Sequence, residues 1–253
     1  MPREFELRKE IALPATPEQV WEAIATGAGL AAWFMPMEVN PDRADVTVWE
    51  PPRHLAIRTP EGEDGSTDAF EYLIEGRDKG STVLRFVHSG VLGDDWRDEY
   101  ESMASGGWDM YLHTLAQYLQ HFPGQAATYV EADAPASSAA DDGWAQLAPA
   151  LGLNDPLATG NRVYLELSGL APIEGVVDYV APGFLGVRSA DALLRFHHRT
   201  AIGMPIGVSH HLYSASADRA AVEKAWQGWL AQLAPAPGGV TPLPGQDRRH
   251  RTR

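Results

Sequence analysis

Cysteine, long apolar runs and positive charge are what this sequence lacks or has little of. The 253 residues include no cysteine, which excludes disulfide bonds, thiol nucleophiles and zinc sites built from thiolates. No segment approaches the ~20 uninterrupted apolar residues of a membrane span. The N-terminal run MPREFELRKE also lacks the apolar stretch of a signal peptide. A cytoplasmic protein with no membrane partner is therefore the expectation.

Basic residues are too few to favour nucleic-acid binding. The chain has 20 Lys and Arg against 34 Asp and Glu, which gives a net charge of −14. Recognition of a phosphate backbone needs a positive surface, so we expect no nucleic-acid partner. The basic end RRHRTR, Arg248 to Arg253, follows a Pro- and Gly-rich stretch, and residues 237–253 are predicted to form a disordered tail.

The first half of the chain has the pattern of one strand, two short helices, several strands and a long helix. Thr16 and Gln19 form a capping box around Pro17, which suits the first position of a helix. A second short helix ends near Pro36, because proline forces the residue before it out of helical geometry. Alternating apolar and polar residues then predict antiparallel strands. An amphipathic helix with Trp108 on its apolar stripe closes this half.

Four blocks carry a family resemblance: TPEQVWEAI from Thr16, LAAWF from Leu30, VTVWEPPRHL from Val46 and GWDMYLHTL from Gly107. In this order they resemble the START-like superfamily, also called SRPBCC or birch-pollen-allergen-like. The run VWEPPRHL, the run GSTVLRFVHSG and the Gly-Trp pair resemble its AHSA branch, named for homology to an activator of a heat-shock chaperone ATPase. The resemblance covers about residues 3–122.

The resemblance implies an α+β helix-grip fold, in which a curved antiparallel sheet wraps around a long C-terminal helix. It also implies broad roles in ligand binding or regulation. One departure is clear, because family members usually have a Gly-rich β-hairpin where this chain has only Met37 to Ala44.

Length and composition predict two domains. The chain exceeds the usual ~100–150 residues of one domain. The run EADAPASSAADD, residues 131–142, is small, acidic and proline-containing, which is typical of a linker. The sequence therefore predicts a START-like domain over residues 1–130 and a second α+β domain over residues 143–236.

Short motif matches suggest that the second domain is a reduced copy of the first. PRHLAIR from Pro52 matches PGFLGVR from Pro182, and LRFVH from Leu84 matches LRFHH from Leu194. Only residues 144–151 could supply the paired helices, and they precede the first strand predicted for this half. The alternative is that short hydrophobic motifs recur by chance.

The space between the sheet and the long helix of the first domain is the predicted ligand cavity. An aromatic lining there suits a flat apolar molecule. Gly106 and Gly107 either open the mouth of this cavity or mark where the helix starts or kinks. The predicted ligand-binding residues are Trp33, Phe70, Tyr72, Phe86, His88, Trp108 and Tyr111.

Histidines supply the candidate polar chemistry. His88 shares a strand face with apolar residues, so it could orient a ligand or act as a general base, or it could bond backbone in a turn. The pairs 197–198 and 210–211 raise a metal hypothesis, but no third ligand is placed beside them, and packed or surface histidines are the expectation. No nucleophile appears with its base, because Ser209 and Ser214 lack the flanking elbow pattern. No metal and no cofactor are predicted.

The sequence favours a protein that binds a small apolar or aromatic molecule in its first domain without turning it over. The alternatives are an enzyme resembling polyketide cyclases or dehydratases, and a co-chaperone or partner-binding module. The second domain is expected to enclose no ligand. Its Trp226 and Trp229 are expected to be covered by the first domain or by a second subunit, so an oligomer is an open possibility.

Overall fold

The computed structural model describes residues 3–92, 100–136, 142–153, 156–199 and 203–233. These residues form two antiparallel sheets with helices packed against them. The predicted tail over residues 237–253, and residues 137–141 of the predicted linker, lie outside the described residues.

The first half has the predicted order of elements. They are β1 (Arg3–Leu13), α1 (Pro17–Ala25), α2 (Gly27–Ala31), β2 (Val46–Glu50), β3 (His54–Arg58), β4 (Thr67–Arg77), β5 (Ser81–Leu92) and α3 (Tyr100–His121). The strands pair in the order β1-β5-β4-β3-β2, which we call sheet A. The capping box of α1 is present, because Thr16 Oγ1 accepts from the backbone N–H of Gln19 and Gln19 Oε1 accepts from that of Thr16. The α+β helix-grip prediction is confirmed for this half.

The second half repeats that order with one more strand. Its elements are β6 (Thr128–Asp133), α4 (Asp142–Ala145), α5 (Leu147–Ala150), β7 (Arg162–Leu165), β8 (Ile173–Ala181), β9 (Phe184–Ser189), β10 (Ala192–His197), β11 (Gly207–Leu212) and α6 (Arg219–Leu230). The strands pair in the order β6-β11-β10-β9-β8-β7, which we call sheet B. In both sheets the first strand in the chain pairs with the last, and the remaining strands follow in reverse chain order.

Two details of the predicted second half are wrong. Residues 131–133 are not linker, because they form the end of β6 and pair with β11, where Asp133 lies opposite Gly207. The pair of short helices α4 and α5 does not precede the first strand, because β6 comes before it. It therefore occupies the same place as α1 and α2. Among the described residues sheet B has six strands and sheet A has five, so the second sheet is not the smaller one.

The motif matches correspond only in part. The PRHLAIR run enters β3 and the PGFLGVR run enters β9, and both strands are fourth in their sheets. The LRFVH run lies in β5, which is second in sheet A, whereas LRFHH begins in β10, which is third in sheet B. The second match therefore joins strands that are not equivalent.

Helix α3 lies between the two sheets. Trp108, Leu112 and Leu115 are buried in the core of the first half, and that core also includes Leu193 and Tyr213 of the second half. On its other side α3 contacts β8, β9 and β10. One helix is thus shared by both halves.

The paired glycines of α3 neither start nor kink the helix. The helix runs through both of them from Tyr100 to His121. A Cβ at Gly106 would lie 2.8 Å from Phe184 Cε2, whereas one at Gly107 would meet nothing closer than 3.9 Å. The absence of a side chain at Gly106 therefore lets β9 of the second half pack against α3.

Candidate functional site

The predicted aromatic residues of the first half lie together around Trp108. The centroid of its ring is 4.1 Å from that of Phe86, 5.9 Å from that of Phe70 and 5.7 Å from that of Tyr111. Phe34, which the sequence did not single out, stacks on the same ring at 5.4 Å. These rings fill one another's contact surface, as in a packed core.

The other two predicted aromatic residues lie in the same core. Trp33 is fully buried, and its Nε1–H donates to the carbonyl oxygen of Ala23 at 2.9 Å. Tyr72 is buried beside Phe86, with ring centroids 5.0 Å apart, and burial raises the pKa of its hydroxyl. All seven residues predicted to bind a ligand are thus neighbours within one half of the molecule.

Both ring nitrogens of His88 have side-chain partners. The Trp108 indole N–H donates to Nδ1 at 2.9 Å, so a neutral ring carries its proton on Nε2. Nε2 lies 2.8 Å from Asp68 Oδ1, which accepts that proton's hydrogen bond. The predicted inward orientation is confirmed, since His88 is 4% exposed. The predicted bond to turn backbone is wrong, and the Nδ1 lone pair is not free to act as a general base.

Two adjoining cavities of the second half lie between α6 and sheet B. One of about 830 Å³ is bordered by β7 and the C-terminal end of α6, and one of about 770 Å³ by β10 and the N-terminal end of α6. They meet at Gly169 and Ala221, which line both. We call the two together the α6 groove. The expectation that the second half encloses no ligand stays a prediction, although this half has two open cavities.

Apolar side chains form most of the walls of the α6 groove. Trp226 is fully buried and Trp229 is 7% exposed, and both rings pack on Phe196 of their own sheet. The prediction that the first domain or another subunit covers these two tryptophans is therefore wrong. The face of sheet B that α3 covers is the opposite one. Lys224 and Glu166 line the groove near its outer end.

A buried histidine lies directly behind the wall of the groove. His210 is fully buried, and its Nδ1 accepts the backbone N–H of Arg195 at 3.1 Å. Its ring stands edge-on to that of Trp226, with centroids 4.3 Å apart. Burial lowers the pKa of His210 well below its usual value, so the ring is neutral with its proton on Nε2. Within the described part of the chain, Nε2 has no hydrogen-bond partner.

The remaining members of the histidine pairs do not form a metal site. The strand register places His197 opposite Gly207 and His211 opposite Leu193, so the two pairs do not face each other. His211 Nδ1 lies 3.1 Å from the carbonyl oxygen of Ala31. His198 stacks on Trp144 with centroids 5.2 Å apart. No group of three metal-binding side chains occurs among the described residues.

The sequence did not predict one contact between a serine and a histidine. His197 Nε2 lies 2.7 Å from Ser209 Oγ, on the face of sheet B that points toward α3. This is the distance expected of a nucleophile and its base. Burial, helped by the positive charges of Arg199 and Arg195, lowers the pKa of His197 to about 3. An imidazole that holds a proton so weakly is a poor general base at neutral pH, which favours a packing role.

The sequence also did not predict a buried ion pair within sheet B that is hydrogen-bonded to α3. Arg195 donates from both terminal nitrogens to the carboxylate of Asp178, each at 3.0 Å, and from Nε to Thr114 Oγ1 at 2.7 Å. His113 Nε2 lies 3.1 Å from the same carboxylate. Burial would raise the pKa of Asp178, but the charge of Arg195 and the contact with His113 lower it below its usual value. No local sequence pattern links these four positions.

Comparisons with known proteins concern mainly the first half. No curated protein matches the chain. Protein MLL2253 from Mesorhizobium loti shares 22% identity over 47% of this chain and 98% of its own, with a TM-score of 0.38. The Aha1 dimer from Colwellia psychrerythraea shares 18% over 46% of this chain and 96% of its own, with a TM-score of 0.35. DynU16, described as a putative protein in the dynemicin biosynthetic locus, shares 15% over 90% of this chain and 95% of its own, with a TM-score of 0.38.

None of the helices in the described ranges has the length and the apolar composition of a membrane span.

A family model matches part of the first half. Residues 14–120 match the model of the Activator of Hsp90 ATPase homolog 1-like proteins, and they span α1 to the end of α3 apart from its last residue. The predicted resemblance to the AHSA branch is therefore confirmed for residues 14–120, which are similar to the Activator of Hsp90 ATPase homolog 1-like family.

Proposed function

We propose that the protein binds a small apolar or aromatic molecule, and that the α6 groove is where it binds. The observation that carries this proposal is the volume of the groove. Its two parts of about 830 and 770 Å³ each fall within the ~300–1,000 Å³ of small-molecule sites. The location between a terminal helix and a curved sheet supports it too, because that is the space which a helix-grip fold leaves unfilled.

The chemistry of the walls supports a flat, mainly apolar ligand. Tyr164, Leu170 and Ile173 offer aromatic and aliphatic surface along the groove, beside the buried rings of Trp226 and Trp229. Lys224 and Glu166 stand near one end, where a polar substituent of the ligand would remain in contact with water. Burial of the apolar part drives binding, and the polar end sets its direction.

Binding without turnover fits the histidines better than catalysis does. The Nδ1 lone pair of His88 is taken by Trp108, and His197 is too weak a base to activate Ser209 at neutral pH. The aromatic cluster of the first half, which the sequence predicts as the ligand site, is the alternative location, but its rings already lie against one another.

Gly228 offers a direct test of the groove. It lies in α6 and lines the larger cavity, and a Cβ built there would meet no atom within 4 Å. A Gly228→Phe side chain should therefore fill the groove without a clash. Gly228→Ala is the matched control, because it adds only one carbon, and a glycine in a helix interior costs about 1 kcal/mol relative to alanine.

The measurement is a titration with 2-ethylnaphthalene, followed by tryptophan fluorescence and calorimetry. We expect wild type and Gly228→Ala to bind the probe alike, and Gly228→Phe to lose at least tenfold in affinity while its melting temperature is kept or raised. Equal binding by wild type and Gly228→Phe, with loss in Tyr111→Ala, would move the site to the aromatic cluster and refute the proposal.

A further inference from the structure

Among the described residues, no atom accepts a hydrogen bond from His210 Nε2. Because the backbone N–H of Arg195 donates to Nδ1, the proton of the neutral ring must be on Nε2, where it is a hydrogen-bond donor. That atom is buried and has no partner among the described residues. A buried donor without an acceptor is costly, and such groups in native proteins call for an explanation.

The position of His210 suggests what could accept the proton. Leu194 lies directly opposite it on β10, and Leu212 lies two residues further along β11 on the same face. Both leucines line the α6 groove, as does Trp226, whose ring is 4.3 Å from that of His210. Groove-lining residues therefore lie beside the imidazole, and Phe196, whose ring centroid is 5.4 Å away, also packs against it.

We infer that His210 Nε2–H is a specificity determinant of the α6 groove, which donates a hydrogen bond to a carbonyl or similar acceptor oxygen of the bound molecule. This inference rests on the proposed function. The inference requires the fully buried Trp226 ring to move aside, so that the flat apolar part of the ligand takes over its contact surface. A ligand with no acceptor gains nothing from this donor. A ligand with an acceptor pairs with the Nε2–H group, so that neither the donor nor the acceptor is buried without a hydrogen bond.

The competing explanation is a local one. An N–H that points at the face of an aromatic ring makes a weak hydrogen bond, and the edge-on arrangement of His210 and Trp226 suits such a contact. In that case the donor is already satisfied, and His210 has no influence on which ligand binds. The two explanations differ in what substitution of His210 does to ligand preference.

Asparagine and glutamine separate the two nitrogens of His210. The amide of asparagine reaches the position of Nδ1, so His210→Asn keeps an acceptor for the Arg195 N–H and removes the deeper donor. The amide of glutamine reaches the position of Nε2, so His210→Gln keeps the donor and loses that acceptor. Loss of stability and loss of ligand preference should therefore appear in different variants.

The probes are 2-acetylnaphthalene and 2-ethylnaphthalene, which have similar shapes and differ by one carbonyl oxygen. We expect the ratio of their affinities to shift about tenfold against the acetyl compound in His210→Asn, and to stay near the wild-type ratio in His210→Gln. Ethylnaphthalene affinity should change little in either variant. A ratio that is the same in wild type and His210→Asn overturns the inference.

A measurement on the wild-type protein guards against variants that do not fold. With ¹⁵N-labelled histidine, the Nε2–H resonance of His210 should shift on addition of the acetyl compound and remain in place with the ethyl compound. An identical response to both compounds, or none to the acetyl compound when it is bound, overturns the inference. If neither compound binds wild type, the proposed function itself has failed.

Discussion

Arg195 shows at the scale of one residue how the two halves are joined. Its side chain is 1% exposed, yet every arm of the guanidinium has a partner. The space it needs comes from Gly186 on β9, where a Cβ would lie 2.8 Å from a terminal nitrogen of the guanidinium. Charge, acceptors and space are thus supplied from both sheet B and α3.

Removal of Arg195 alone should be costly. Arg195→Met leaves the carboxylate of Asp178 buried with only His113 beside it, and breaking a buried ion pair in this way typically costs about 3–5 kcal/mol. The free energy of unfolding from urea titration measures this. The double variant Arg195→Met with Asp178→Asn should recover part of the loss, because it removes the uncompensated charge. A loss below about 1 kcal/mol in the single variant would contradict the role of the pair.

Helix α3 is the element that carries the packing of both halves. It buries Trp108 against sheet A and presents Gly106 to Phe184 of sheet B. Helix α3 keeps the single apolar stripe that the sequence showed, and this stripe faces the core of the first half. Its second face is made of small and polar residues such as Gly106 and Thr114, and these contact the other half through close approach and hydrogen bonds.

The two glycines of α3 should respond in opposite ways to alanine. Gly107→Ala removes a glycine from a helix interior with ordinary contacts at 3.9 and 4.0 Å, so it should stabilise the protein by up to about 1 kcal/mol. Gly106→Ala has the same helical gain but drives a methyl group to 2.8 Å from Phe184 Cε2. We expect a net loss of about 1–3 kcal/mol there, read from thermal or urea unfolding. Equal effects of the two substitutions would show that the contact with β9 is not tight.

The sequence predicted most elements because their signals are local. The capping box at Thr16 and the alternation in β5 depend only on neighbouring residues, and both are confirmed. The sequence did not predict strand β6, for a related reason. Glu131 and Asp133 look like linker residues, but they are the exposed positions of a strand whose Val130 and Ala132 are buried against the rest of the half. The acidic composition of this segment made its alternation of buried and exposed residues, which is typical of a strand, hard to recognise.

The candidate groove could not be predicted in the same way. Its walls come from α5, β7, β10 and α6, and the polar atom behind it is defined by the register of His210 against Leu194. The aromatic residues of the first half were easier to find, because alternation alone put Phe70, Tyr72 and Phe86 on one face of their strands. Both halves have a packed core, and which surface beside it forms a cavity depends on tertiary contacts.

At the scale of the whole molecule, side chains of the second half bind backbone groups of the first half. Tyr213 donates its hydroxyl proton to the carbonyl oxygen of Ala32 at 2.7 Å, and His211 Nδ1 lies 3.1 Å from that of Ala31. These two carbonyls lie at the C-terminal end of α2, where a helix leaves acceptors without internal partners. Contacts of this kind, with the Arg195 ion pair, make the two halves parts of one packed unit.

Three neutral histidines buried in sheet B should make this unit sensitive to acid. Burial, with the charges of nearby arginines, lowers the pKa of His197 and of His211 to about 3, and burial lowers that of His210 well below its usual value. The unfolded chain binds a proton at each near its usual pKa of about 6.5. Between those values the unfolded state holds more protons than the native state, so stability falls as the pH falls.

The expected size of the acid effect is large. Each histidine that stays neutral in the folded protein contributes about 1.4 kcal/mol per pH unit once the pH is below about 6, so the three together should give a slope of about three protons. Urea unfolding at a series of pH values measures the slope. His197→Gln keeps a polar atom near Ser209 but does not titrate, so it should reduce the slope between pH 4 and 6 by about one proton and leave the slope between pH 7 and 8 unchanged. A wild-type stability that is flat from pH 7 down to pH 4 would mean that these rings accept protons in the folded state, and that the packing of sheet B against α3 and α6 admits water.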